Sequence, residues 1–462
     1  MSNEARGTWS GNLGLVLAAT GSAIGLGNLW KFPYITWENN GGAFVLVYLG
    51  CIVLVGLPIM MAELLIGRRS QLSAVGALRE AAGPAFRFVG LWGVLAGFIL
   101  LSYYTVIAGW SLFYFWKALG WTVSGFDTAG SGLFGEQVAN APLQLILSLV
   151  FSAATIGVVY FGVSRGIERV AKVFLPVLFG ILLLLLISAL GMSGSGEALT
   201  HIFQPRFNEL DGAGVLEALG HSFFTLSLGM GAMITYGSYI GRKQSIVKAG
   251  GAIVALDTII ALVATVIMFS VIFSVVGLRD EVGASAVGML FISLPELFYT
   301  EVPFGTVLAP LFYVLVALAA LTSTISLLEV VTAYLIDERK LSRHKAAVGS
   351  GVAIFVFTIF AALSFSPAGG FLASMNIWGE GKDGWFSTMD HFVSNWMLPT
   401  GGFAVAVAAG WIMTRKATFE QLVDGTEPRW FSFEAWRVCI RYIAPTAVLA
   451  IIIAVILGTD FS

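Results

Sequence analysis

Charge is scarce in this chain. Asp, Glu, Lys and Arg make up 11% of its 462 residues while 57% are hydrophobic, against about 25% charged in an ordinary soluble domain, so a water-soluble globule of this size is excluded. Cysteine is nearly absent. Cys51 and Cys439 are the only two, both lie inside apolar runs, and no disulfide framework or thiolate metal site can be built from them. The four histidines keep no metal-ligand spacing. No phosphate-cradling glycine loop or nucleophile elbow occurs in a fitting context, which argues against an enzyme and against transport driven by nucleotide hydrolysis within the chain. A net charge of −2, with no basic patch interleaved with aromatics, argues against nucleic acid as a partner. The first ten residues are polar and no small-residue cleavage pattern follows them, so no cleavable signal peptide is expected.

What the chain has in quantity is apolar runs longer than the ~18 residues that mark a bilayer span. Eleven helices are expected, at about 12–36, 41–67, 88–118, 142–161, 166–192, 214–241, 244–277, 304–337, 344–365, 385–413 and 435–458. That is an all-α polytopic protein whose solvent is the lipid bilayer. Lys and Arg set its orientation. With the N-terminus inside, twenty of them fall in cytoplasmic segments, three (Arg206, Arg279 and Lys382) fall outside, and Lys31 and Lys117 stay within helices. The N-terminus is therefore expected in the cytoplasm and, after eleven spans, the C-terminus outside.

Two spans are interrupted. GSAIGLGNLWKFPY, residues 21–34, places three glycines, an asparagine, a lysine and a proline in the first apolar segment, and SLGMGA, residues 227–232, breaks the sixth. Glycine costs about 1 kcal/mol relative to alanine in a helix, and lipid tolerates broken backbone only where it is buried in protein or lines a cavity. Paired breaks at corresponding places in two halves mark the binding site of a secondary transporter. Ten of the helices divide into two sets of five, each opening on its broken segment. An odd number per set makes the second enter from the opposite face, as an inverted repeat requires. The expected division is 1–192 for the first repeat with an N-terminal cytoplasmic latch, 193–413 for the second, and 414–462 for a cytoplasmic linker and the eleventh helix.

With these two segments, PIMMAELLIGR (58–68), LLSYYTVIAGW (100–110), the wider stretch FFTLSLGMGAMITYGSY (223–239) and ALTSTISLLE (320–329), the chain resembles the neurotransmitter:sodium symporter family, and within it a bacterial hydrophobic amino-acid transporter. The resemblance implies a five-plus-five inverted-repeat fold with broken helices 1 and 6 plus an eleventh helix. It also implies residence in the inner (plasma) membrane of a bacterium, and two sodium ions. The first would be held by Ala23, Asn28, Thr225, Asp257 and the substrate's own carboxylate. The second would be held by Gly21, Ile24, Ala319, Thr322 and Ser323. A hard cation wants several oxygens, and a buried intramembrane carboxylate such as Asp257 is functional by default; the other reading of Asp257 is a protonated or structurally paired group. Taken alone, the hydroxyls of Thr322 and Ser323 read as helix glue or back-bonds to their own turns.

By the same resemblance the substrate carboxylate would meet the backbone at Gly25, Leu26 and Gly27, where the second half-helix begins, and the hydroxyl of Tyr104. Its amino group would meet Ala23, Phe224, Thr225 and Ser227, and its side chain a compartment of Ser22, Leu100, Phe224, Met230, Ala320, Ser323, Ser326 and Leu327. Monoamine carriers place an acid at the position of Gly25, so glycine there implies an α-amino acid. Lys31 and Asp390 match the outer gate pair, bridged over the pocket through water, with lysine replacing the arginine that could bind a carboxylate bidentately. Arg6, Trp9, Ser238, Tyr239 and Asp337 match the cytoplasmic latch. GVSRGIERVAKVFLP, residues 162–176, carries Gly166 and Pro176 at the spacing of the family's helix-unwinding motif; a static kink is the other reading. Ala261 stands where chloride-dependent members carry serine, and His221, Glu63 and Glu329 are further buried polar groups. The expected function is sodium-coupled, chloride-independent import of a neutral hydrophobic or aromatic α-amino acid by alternating access, with no obligatory protein partner. A carrier of another small organic solute and a non-transporting amino-acid sensor are the alternatives.

Overall fold

The computed structural model describes the chain except residues 1–6, 127–132, 242, 275–288, 380, 424, 426 and 462. The described residues form helices and connecting turns, without strands. Nine helices are long and apolar enough to cross a membrane, and the bent pair Asn12–Ala23 and Gly27–Glu38, here α1a and α1b, supplies a tenth. The nine are α2 (Gly42–Ser70), α3 (Pro84–Ser124), α4 (Ala141–Tyr160), α5 (Val163–Leu190), α7 (Ile246–Ser274), α8 (Gly305–Arg339), α9 (Arg343–Leu363), α10 (Gly384–Ile412) and α11 (Phe433–Ile456). The sixth expected span, 214–241, is two pieces, α6a (Gly212–Thr225) and α6b (Ala232–Gly237). Neither half is long enough to qualify as a span, because the break at 226–231 consumes a full turn and more.

The breaks have local causes. α1a stops where Ile24 turns extended, and α1b leaves at 56°. In the second break Ser227, Gly229 and Gly231 all have positive φ, at 54°, 79° and 76°, a region glycine enters at little cost. Gly229 is also packed tight: a Cβ there would lie 2.2 Å from the Leu398 carbonyl oxygen of α10. The loop's orphan Gly229 amide donates to the Glu63 carboxylate of α2 at 2.7 Å, which explains a buried acid in an apolar helix. α2 and α6b touch backbone to backbone through Gly67, whose added Cβ would sit 2.0 Å from the Ile234 carbonyl, the close approach that small residues permit between membrane helices. Gly229→Ala is expected to lower stability by about 2–3 kcal/mol, combining strained φ with overlap. A melting curve in detergent unchanged from the parent protein would refute this packing account.

α3 and α8 form the centre, each 72% buried over its most apolar window, whereas α4, α5 and α11 are 28%, 33% and 33% buried over theirs. The exposed side chains on these outer helices, such as Ile146, Leu183, Ile187 and Ile453, face what must be hydrocarbon. The short helix Ser195–Phe203 lies between α5 and α6a and Leu290–Thr300 precedes α8, and the linker after α10 contains Arg415–Leu422, tied to α2 by Arg68 bonding the backbone and side chain of Gln421.

Candidate functional site

Both helix breaks open onto one internal cavity of about 370 Å³ including its mouth, lined by Ser22, Ala23, Gly25, Gly27, Leu100, Tyr104, Phe224, Thr225, Ser227, Met230, Ser323, Ser326 and Leu327. Every one of these was expected at the substrate site. The two expected wall residues that do not line it are Leu26 and Ala320. Ala320 is buried in α8. Leu26 participates through its backbone instead, its amide donating to the Tyr104 hydroxyl at 3.0 Å. The Gly25 amide is likewise taken, by the Asn28 Oδ1 at 3.0 Å. Tyr104 therefore accepts a hydrogen bond from the Leu26 amide and keeps its own hydroxyl hydrogen to donate. An added Cβ on Gly25 would approach Ser323 Oγ to 2.8 Å and the Tyr104 hydroxyl to 2.9 Å, so glycine is required here by space.

Hydroxyls tie the cavity floor together. Ser22 donates to Ser326 at 2.8 Å, and Ser227, held at positive φ, donates to the Ser22 carbonyl at 3.0 Å. Each bond joins a broken segment to another part of the site, so the two unwound stretches and α8 act as one polar surface. Leu100, Phe224, Met230 and Leu327 supply the apolar part.

Beside it Asn28, Thr225 and Asp257 converge. The Thr225 hydroxyl lies 3.1 Å from both carboxylate oxygens of Asp257, and Asn28 Nδ2 donates to Asp257 Oδ1 at 2.7 Å and to Thr225 at 3.1 Å. Asp257 is fully buried, and among the described residues no lysine or arginine pairs with it. A buried carboxyl held only by neutral donors is stable either protonated or beside a cation, and the oxygens around it would suit a hard cation. Of the second expected set, Ser323 Oγ donates to the Ile24 carbonyl at 3.3 Å and Gly21 packs directly on Thr322. The Thr322 hydroxyl bonds back to its own turn, donating to the Ala319 carbonyl at 2.9 Å, as a membrane-helix threonine commonly does. A separate cavity lined by Ala18, Ile167, Val170, Ala171, Tyr236, Thr322 and Ile325 runs from this set to α5.

The expected gates are partly reconfigured. Lys31 reaches over the Phe224 ring, 5.4 Å from its centroid, and donates to the Phe461 carbonyl at 2.8 Å. Asp390 instead accepts from Tyr103 at 2.9 Å and Ser394 at 3.2 Å, so Lys31 and Asp390 form no direct ion pair. On the opposite side Arg6 lies outside the described residues. Trp9 donates its indole N–H to the Tyr236 carbonyl at 3.0 Å and packs edge-on against Tyr239. Tyr239 bonds Glu329 at 2.5 Å, which pairs with Arg343 at 2.5 Å. Asp337 accepts from the Ser73 amide at 2.5 Å, and Ser238 bonds back to Thr235.

The Gly166 to Pro176 segment is wound, not open: Gly166 sits in the π turn Val163–Ile167, and Pro176 lies inside the helix after it. A Cβ on Gly166 would fall 2.1 Å from the Val158 carbonyl, so close packing explains that glycine. Sequence reasoning missed Glu168, which bonds the Ser10 amide and hydroxyl and pairs with Lys172 at 2.6 Å. The available signal was its place four residues before that lysine, on the same helix face. It also missed Asn395, Asp460 and Phe461, described below. For Asn395 the signal was a lone amide in an apolar helix.

The model of the Sodium:neurotransmitter symporter family matches residues 6–127 and 134–460. An uncharacterized sodium-dependent transporter of Bacillus subtilis, YhdH, is 35% identical over 458 residues, 99% of either chain. The rat sodium-dependent neutral amino acid transporter B(0)AT3 is 30% identical over 299 residues, covering 58% of this chain and 48% of that one. Among solved structures, MhsT in complex with L-phenylalanine aligns with a TM-score of 0.87 at 39% identity, over 97% of this chain and 99% of its own. Cavity, paired breaks and matches agree: the chain belongs to the sodium:neurotransmitter symporter family and is a sodium-dependent membrane transporter with that family's inverted-repeat fold.

Proposed function

We propose that the protein imports a neutral, hydrophobic or aromatic α-amino acid together with two sodium ions, from outside the cell to the cytoplasm, without chloride. The observation that carries this reading is the cavity itself. One end is polar, with Tyr104 poised to donate and a serine cluster beside it; the other is apolar, with an adaptable methionine, Met230, next to Phe224. A zwitterion with a hydrophobic side chain matches that division, and the family relative MhsT holds L-phenylalanine.

Asn28, Thr225, Asp257 and the Ala23 carbonyl would hold one sodium, and the Gly21, Ile24 and Ala319 carbonyls with Thr322 and Ser323 the other. Both sets share residues with the helix breaks that line the cavity. Substrate and ions would therefore stabilise the same closed arrangement, and each would raise the other's affinity. Potassium and choline should not substitute for sodium. The deciding experiment is uptake of L-phenylalanine into proteoliposomes, driven by a sodium gradient, with choline as control. Equal uptake in choline would overturn the assignment of both ion sets.

The carboxylate end gives a sharper test. Tyr104→Phe removes one hydrogen bond to a charged group and should weaken L-phenylalanine binding by about 1.5–3 kcal/mol. Phenethylamine, which lacks the carboxylate, should compete poorly with L-phenylalanine for the parent protein and lose little further affinity in the variant. A mutant that weakens both ligands equally would show that Tyr104 supports the fold only.

Alternating access would use two layers. Phe224 and Lys31 close the side of α1b and α6a, the outer one in the orientation set by Lys and Arg. Trp9, Tyr239, Glu329 and Arg343 close the other. The cavity running from Thr322 to Ile167 of α5 supports an inward ion path that widens when the segment between Gly166 and Pro176 unwinds. Pro176 removes one helical hydrogen bond and weakens that stretch, so Pro176→Ala should slow uptake severalfold while equilibrium binding in detergent stays the same. Unchanged uptake would return Pro176 to a static kink.

A further inference from the structure

The chain after α11 does not run off into solvent. Gly458, at φ 101°, reverses it: the Gly458 amide bonds the Val455 carbonyl at 3.0 Å and the Thr459 amide bonds that of Ala454 at 2.9 Å, the paired bonds of a Schellman turn. The next two residues are folded back against the bundle. Asn395 of α10 grips them with both ends of its amide, Nδ2 to Asp460 at 2.7 Å and Oδ1 from the Phe461 N–H at 2.7 Å. Asp460 also pairs with Lys382 and, at 3.2 Å, with His391. The Phe461 side chain is 8% exposed and lies against Gly220 of α6a, where an added Cβ would touch its ring at 3.4 Å. Its carbonyl receives Lys31.

We infer that residues Gly458–Phe461 are a hinged plug that closes the substrate site from the α1b and α6a side, with Lys31 held directly by the plug's own carbonyl. The inference rests on the substrate site proposed above. The layers stack in order: cavity, Phe224 ring, Lys31 ammonium, Phe461. The segment joins α1b, α6a and α10, whose separation would open the cavity on this side. Lysine suits this arrangement because a single carbonyl needs one donor, whereas arginine's fork is matched to a carboxylate. The contacts are all non-covalent and reach the segment from side chains of the bundle, and the hinge is a glycine turn, so the plug can leave without disturbing α11.

The test uses the full chain carrying C51A and C439A, with Gly220→Cys placing a thiol beneath the Phe461 ring. In sodium buffer a membrane-impermeant maleimide should alkylate this thiol at least tenfold faster when D460A and F461A are added. In purified protein without the Gly220→Cys change, the same pair should speed dissociation of L-[3H]phenylalanine at least fivefold with maximal binding retained. N395D, which keeps the helix but sets a carboxylate against Asp460, should reproduce both effects and stands in if the double variant does not fold. Equal alkylation rates with and without the tail changes would overturn the plug whatever the substrate. Absence of L-phenylalanine binding in the parent protein, with alkylation still tail-dependent, would overturn the substrate assignment and leave the plug standing.

Discussion

Replacing Asp257 with alanine is expected to raise the sodium concentration needed for half-maximal L-phenylalanine binding by two to three orders of magnitude. The carboxylate is fully buried and held by Asn28 and Thr225, so in the proposed ion set it would supply the net negative charge. Removing one partner of a buried charge pair costs about 3–5 kcal/mol. Asp257→Asn keeps the volume and much of the hydrogen bonding while deleting the charge, and should be impaired in the same direction. Chloride should then partly rescue it, whereas the parent protein should work equally in chloride and gluconate: two sodium ions and a zwitterion need further negative charge nearby, and Ala261, fully buried on the same helix, offers no hydroxyl to hold an anion. Sodium titrations of binding check the first claim and gluconate substitution the second. An unchanged sodium titration in Asp257→Ala would remove Asp257 from the ion site. Loss of transport in gluconate by the parent would reveal an anion site.

Gly25→Asp should abolish L-phenylalanine binding, by at least two orders of magnitude. Two effects act in the same direction. The new Cβ would overlap Ser323 Oγ and the Tyr104 hydroxyl, at 2.8 and 2.9 Å, and the new carboxylate would occupy the place proposed for the substrate's own. Like charges brought together in a desolvated site cost several kcal/mol. Gly25→Ala carries only the steric part and should fall between the two. Phenethylamine, with no carboxylate to be repelled, should lose less affinity than L-phenylalanine in the Asp variant, inverting the parent's preference. Competition binding in sodium, with melting curves to confirm folding, reads both. Equal losses for amine and amino acid would show that the position controls space alone and carries no charge selectivity.

Much of this was legible in the chain before any coordinates. Length and apolarity of a run decide whether it can span a bilayer, and those are local properties, so nine spans and the bent tenth lie within a few residues of the expected bounds, α3 running longest past them, to Ser124. Glycine's freedom is also local, so both breaks were visible as GSAIGLG and SLGMGA. The motif resemblance carried the remainder of the cavity, because residues that must surround one ligand recur in a fixed order along the chain.

Partnerships between distant residues were not legible. The Gly166 spacing reads as an unwinding motif, yet its glycine is equally demanded by the Val158 carbonyl of α4, a contact that exists only once two helices pack. Glu63 reads as a buried acid in a polar network whose partner is not legible; folding shows it accepting from the Gly229 amide. Lys31 and Asp390 read as a gate pair bridged through water; their direct partners, the Phe461 carbonyl for Lys31 and the Tyr103 and Ser394 hydroxyls for Asp390, were not legible, because a side chain takes whichever donor or acceptor the packed structure brings within about 3 Å. The sequence by itself determined the membrane helices and the two breaks, which follow from hydrophobicity and backbone freedom over about a dozen residues, while the residues of the site were legible only through the resemblance of its motifs to a family. Only the tertiary structure decided who bonds to whom: that Asp257 meets Asn28 and Thr225, that Tyr104 accepts from Leu26, and that Phe461 returns to Lys31, 430 positions away. Hydrogen bonds act over a single contact distance, and no pattern along the chain encodes a meeting between segments that folding alone brings together.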